Sequence, residues 1–132
     1  MEKHELRTNN VKDHKDLDVW NKAMDLVEDI YILSKKFPHD EIYGLSSQIK
    51  RAVVSIPSNI AEGAERRGSK EFVQYLYISM GSLAEVETQI LLAQRLKFIA
   101  DIGHILEKIV NIRQMLHGLI RYLNRNLQEV SG

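Results

Sequence analysis

The side chains able to do chemistry gather in one stretch of the chain. Gln48, Arg51, Ser55, Asn59, Glu62 and Arg66 recur every three or four residues. At about 100° per residue, that spacing lines one flank of a helix with hydrogen-bond donors and acceptors. Glu87 lies within about 40° of the apolar Leu83 on its own predicted helix, which turns it toward a core. A carboxylate there needs a partner, because an unpaired buried charge is very costly. Arg51 is the first candidate partner, with Asn59 and Gln48 as hydrogen-bond donors. Two readings compete: Arg51, Asn59, Glu62 and Glu87 form a ligand or catalytic site, or the seam fixes helix register and joins subunits. The structural reading is preferred, because no activated nucleophile stands beside a base and an orienting third group.

A second group is electrostatic. Between positions 45 and 70 the bases Lys50, Arg51, Arg66, Arg67 and Lys70 face only the acids Glu62 and Glu65. Lys50, Arg66, Arg67 and Lys70 are candidate phosphate contacts. The plainer reading is a solvated loop and a structural Arg51, since no aromatic residues interleave the bases to stack nucleotides. A net charge of zero also argues against a dedicated nucleic-acid binder.

Metal chemistry in a helical bundle uses Glu-x-x-His pairs. None of His4, His14, His39, His104 and His117 has a Glu three positions before it; Asp101-x-x-His104 is a half-match at a helix start. Glycine-rich phosphate loops, zinc spacings and Ser-His-Asp signatures are missing. The chain is therefore read as non-enzymatic, with no catalytic, cofactor or metal residue assigned. A small-molecule binder at a subunit junction and, less favoured, a metal-dependent bundle enzyme are the alternatives.

These residues must be positioned by helices. The chain of 132 residues has room for one domain, and its apolar fraction of 44% and charged fraction of 27% suit a globular core. Residues 1–14 are polar and aperiodic and are read as a flexible tail before a four-helix domain at 15–128. The first helix is expected from Asp16 to Lys36, capped by Asp16 or Asp18. Its apolar stripe reads Leu17, Trp20, Met24, Val27, Tyr31 and Ser34, with Ala23 and Ile30 alongside, and it ends at Phe37-Pro38. The second runs from about Tyr43 to Gly63 with Leu45, Ile49, Ala52, Val53, Ile56 and Ile60 on one face. Pro57 inside it predicts a kink.

The third helix is expected from a Ser69 cap to near Lys97, with Phe72, Leu76, Ser79, Leu83, Val86, Ile90 and Ala93 inward. Gly81-Ser82 marks a place for close backbone approach. The fourth runs from an Asp101 cap to about Leu127, with Ile102, Ile105, Ile109, Ile112, Leu116, Leu119 and Leu123 forming a heptad seam. Short loops favour an antiparallel, up-down-up-down four-helix bundle. Helix three also carries Tyr77, Ile78, Leu91 and Leu92 off its main seam, and helix four carries Leu106, Val110, His117 and Ile120. That excess of apolar surface predicts self-association.

The stretches DLDVWNKAMDLV at 16–27, FPHDEIYGLSSQIKRAVVSIPSNIAEG at 37–63, SKEFVQYLYISMGSLAEVETQI at 69–90 and MLHGLIRYL at 115–123 carry a resemblance. The chain resembles the bacterial four-helix bundle proteins encoded within intervening sequences of 23S ribosomal RNA genes. Gln48 to Gly63 is the most specific block, because a proline inside a helical run is unusual. Met80 departs from the pattern, where an Ala often precedes the Gly-Ser pair. The resemblance implies an antiparallel bundle and a ring-shaped homopentamer. Its more distant relatives are accessory proteins of diversity-generating retroelements, which contact a reverse transcriptase and nucleic acid. The expectation is a homo-oligomeric scaffold or interaction protein, associated with RNA. No stretch approaches the roughly 20 apolar residues of a membrane span. The N-terminus lacks a signal-like apolar core, and the lack of Cys suits a reducing compartment, so a cytoplasmic location is expected.

Overall fold

The structure is a computed structural model that describes residues 13–131, with side chains through residue 127. The stretch expected as a tail lies outside the described residues up to position 12. Four long helices follow: α1 (Asp18–Ser34), α2 (Leu45–Ala64), α3 (Ser69–Arg95) and α4 (Gly103–Ser131). Two 3-10 turns, His14–Asp16 and His39–Glu41, precede α1 and α2. There is no strand among the described residues. The chain is all-α. Each helix packs against its neighbour in sequence, and α1 also packs on α4, so the four enclose one core. Along α2 and α3 the contacts pair in opposite senses: Ser55 meets Ser82, Ile56 meets Ser79, and Gly63 sits against Phe72 and Tyr75.

The core follows the apolar spacing closely in α2, α3 and α4. All the inward positions expected on those three helices are buried. Each such side chain contributes about 1.5–3 kcal/mol relative to exposure. The face of α1 is a correction. Leu17 and Ser34 of the expected stripe are buried, as are Ala23 and Ile30 alongside it, but Val19, Leu26 and Leu33 complete the inward face, whereas Met24 is 39% and Tyr31 41% exposed. Two heptad-spaced stripes overlap on this helix, one rich in large aromatics and one aliphatic. The aliphatic one fills the core. Trp20 and Val27 lie half-buried on its flank, where an aromatic keeps its polar edge near water.

The helix starts also differ from expectation. Neither Asp16 nor Asp18 caps α1: Asp16 ends the preceding 3-10 turn, and Leu17 is the N-cap without a side-chain bond. Asn21 ties this start together by donating to the carbonyls of Lys15 and Leu17. Ser69 is the first helical residue of α3, not its cap, because Gly68 takes the extended N-cap conformation. At α2 the Glu41 carboxylate reaches forward to accept the Leu45 N–H at 3.0 Å, stabilising the positive end of the helix. Asp101 does serve α4, accepting the Gly103 N–H at 3.2 Å.

Pro57 is buried within a continuous α2. Its neighbour Ile56 offers its carbonyl to the buried Ser79 hydroxyl at 2.9 Å. At the far end, α3 closes with Lys97 at φ 65°, the Lys97 N–H on the Gln94 carbonyl and the Phe98 N–H on the Ala93 carbonyl. This Schellman arrangement normally takes Gly at the left-handed position. It turns Phe98 against Phe37, in the turn that follows α1, with ring centroids 5.8 Å apart.

Candidate functional site

The polar seam of α2 divides into separate clusters once the helices are packed. At its middle, Asn59 donates to the Ser55 carbonyl and to the Ser55 hydroxyl at 2.8 and 2.9 Å. The Ser82 hydroxyl of α3 donates to that same Ser55 oxygen at 2.8 Å. Ser82 is buried, Ser55 and Asn59 half-buried. The Ser82–Ser55 bond is the link of this cluster between α2 and α3, and Asn59 braces Ser55 from within α2.

At the C-terminal end of α2, Arg66 donates to the Glu62 carboxylate and to the Tyr75 hydroxyl, both at 2.8 Å. Its guanidinium also lies 5.1 Å from the Tyr75 ring centre, a cation–π contact. Gly63 makes this approach possible. A Cβ there would stand 2.7 Å from the Tyr75 Cβ and 2.9 Å from the Phe72 ring. Gly81, expected to be the point of close approach, is exposed and has nothing within 4 Å of a Cβ position. Its neighbour Ser82 makes the contact instead.

Glu87 does not meet Arg51. Its carboxylate pairs with Arg113 of α4 at 2.6 Å. Glu87 sits on the α4 side of α3, whereas α2 packs on the opposite flank, so no α2 side chain is its partner. Gln48 and Arg51 are exposed, and their side chains make no hydrogen bond or ion pair among the described residues. The residues of the expected seam do not converge on one site. Sequence reasoning missed Tyr75, Ser82 and Arg113 as partners. Arg113 lies one position past the Ile112 of the heptad seam, on the flank that meets α3.

The candidate phosphate contacts also separate. Arg66 is held by Glu62 and Tyr75, while Arg67 stands exposed in the loop before α3 and Lys70 exposed in the first turn of α3. Lys50 lies over the Tyr31 ring at 5.2 Å, about 20 Å of helix away from that loop. Lys50 and Arg51 border an open groove of about 570 Å³ between Tyr31 of α1, Ile42 and Tyr43 of the connecting segment, and α2.

Near the end of α2 the structure also brings together three groups that were not expected to meet. The Nδ1 of His14 lies 3.1 Å from Asp13 and 3.5 Å from Glu65, and His14 edges against the Trp20 ring. The Lys15 backbone N–H, accepted by Asp13, holds that carboxyl below the usual range.

The apolar residues set apart as surplus lie mainly outside. Tyr77, Ile78, Leu91 and Leu92 of α3 and Val110 of α4 are exposed, Leu106 is half-buried, and His117 is exposed. Ile120 is a correction: it is buried in the core. No helix among the described residues is long and apolar enough to cross a membrane.

The fold defines a small all-α protein of four packed helices. The chain belongs to the family of 23S rRNA-intervening sequence proteins, whose family model matches residues 15–118. No curated protein matches it.

Proposed function

We propose that the protein is a non-catalytic, homo-oligomeric interaction protein that works in association with RNA. The observation that carries the assembly is the outer face of α3. Tyr77, at 55%, and Ile78, at 50%, stand exposed there with Leu91 and Leu92, and Val110 continues the surface onto α4. A helix facing water should be polar on that side, so this surface is read as one a sister chain covers. A closed ring needs two different complementary patches on each copy. Ile78 and Leu92 lie toward α2, whereas Tyr77 and Leu91 lie toward α4, which supplies two flanks.

A structural role for the seam is supported by its pairings. Ser55 accepts from both Asn59 and Ser82, Arg66 donates to Glu62 and Tyr75, and Arg113 donates to Glu87. Association with RNA is supported by the family description and by the exposed bases Arg67 and Lys70 beside Arg66.

The test is anisotropy of a labelled RNA against salt concentration, with the assembly followed by sedimentation velocity. Phosphate-driven binding falls steeply with salt, and Arg66→Ala with Arg67→Ala reduces the slope. No binding at low salt rules out the RNA part. A single 15.2 kDa species at all concentrations rules out the assembly.

A further inference from the structure

We propose that the groove between α1, the Ile42–Tyr43 segment and α2 binds single-stranded RNA, with Tyr43 as a stacking platform for a base and Lys50 and Arg51 as phosphate contacts. The proposal rests on the RNA association proposed above and places it on a surface apart from the 66–70 loop.

The groove combines features that lie far apart in sequence. Tyr43 is 97% exposed, so both faces of its ring are open. Tyrosine has only two side-chain torsions, and holding it against a base therefore costs little conformational entropy. Tyr31 forms the opposite wall, and Lys50 lies over its ring, 5.2 Å from the centre. That contact holds an ammonium at the wall without neutralising it. Arg51, one residue on, has no ion-pair partner among the described residues. Ile42 and Val54 supply apolar floor.

All the formal charge lining the groove is positive. The acid nearest in sequence, Glu41, is turned onto the Leu45 N–H. Planar aromatic surface beside unpaired cations matches a flexible strand, which presents bases and phosphates together. A duplex keeps its bases stacked inward and offers nothing to Tyr43. A two-fold contact through the groove would bring Lys50 and Arg51 against their own counterparts, a like-charge contact; a ring contact through it is the outcome that the assembly mass of Tyr43→Ala tests.

The test uses the full chain and short 5′-fluorescein-labelled oligo-U and oligo-A RNAs, with a duplex as comparison, read by anisotropy over a salt series. Tyr43→Ala weakens single-strand binding about tenfold, and Tyr43→Phe, which keeps the ring, binds as the unaltered protein does. Arg51→Ala lowers the salt slope by about one. Duplex binding is unchanged by Tyr43→Ala. If the unaltered protein binds RNA while Tyr43→Ala and Arg51→Ala bind equally well, this groove is not the site, although RNA association through the 66–70 loop survives. If the unaltered protein binds no RNA at low salt, both readings fall. If Tyr43→Ala lowers the assembly mass and leaves RNA affinity intact, the groove is a subunit junction and the proposal is overturned.

Discussion

Glu87 and Arg113 form an ion pair that joins α3 to α4 at 2.6 Å, with about a third of each side chain exposed. At that exposure water screens the pair, and such contacts are worth about 0.2–1 kcal/mol. A double-mutant cycle of Glu87→Gln and Arg113→Met, read by urea unfolding, is expected to give a coupling in that range, shrinking as salt rises. Arg51→Ala in the same assay leaves stability within about 0.5 kcal/mol. Coupling of Glu87 to Arg51 would contradict the pairing.

Ser55 and Ser58 lie three residues apart on α2 but face different surroundings. Replacing either by Ala gains the same helix propensity, about 0.5 kcal/mol. Ser55→Ala also removes the acceptor of the Ser82 hydroxyl, leaving a buried donor unpaired at a cost of about 1–3 kcal/mol. Thermal unfolding should therefore place Ser55→Ala at least about 1 kcal/mol below Ser58→Ala. Equal stabilities would mean that the Ser55–Asn59–Ser82 cluster does not join the helices.

Gly63→Ala inserts a Cβ that has no room against Tyr75 and the Phe72 ring. Ala is the better helix former by about 1 kcal/mol, so propensity alone predicts a gain. Backbone displacement at an overpacked contact costs about 1–3 kcal/mol, and a net loss is expected. Gly81→Ala, with nothing inside the chain within 4 Å of its Cβ position, should stabilise the single chain by up to about 1 kcal/mol. Urea midpoints of the two variants should move in opposite directions.

Lys97→Gly relieves a left-handed residue that costs about 1–2 kcal/mol for any side chain with a Cβ. The more flexible unfolded chain takes back about 0.4–1 kcal/mol. A rise in stability of up to about 1 kcal/mol is expected in denaturant titration. A fall would show that the Lys side chain itself holds the end of α3.

The sequence pattern made most of the bundle legible, because a seven-residue apolar repeat leaves one inward solution on α2, α3 and α4. It misled on α1, where two stripes of equal spacing overlap and only packing decides between Leu26 and Met24. The seam illustrates what periodicity can and cannot carry. Spacing placed Ser55 and Asn59 on one flank of α2. It could not say that Ser82 would meet them or that Arg113 would reach Glu87, since both depend on which helices become neighbours and at what register. The Tyr31, Tyr43, Lys50 and Arg51 grouping was hidden for the same reason: α1 and α2 bring it together across a turn. Glu41 as a forward-reaching cap was also hidden, since the sequence reading placed the start of α2 near Tyr43.

In the proposed assembly the outer face of α3 is covered by another copy of the chain. Light scattering on purified protein at micromolar concentration, compared with an Ile78→Lys, Leu92→Lys variant, tests this directly. Both positions are exposed, so the charges should leave the folded helix content unchanged by circular dichroism. The expected result is a mass several times 15.2 kDa for the unaltered protein and a lower mass for the variant. A mass of one chain for both, or an assembly that both lysines leave intact, would contradict it.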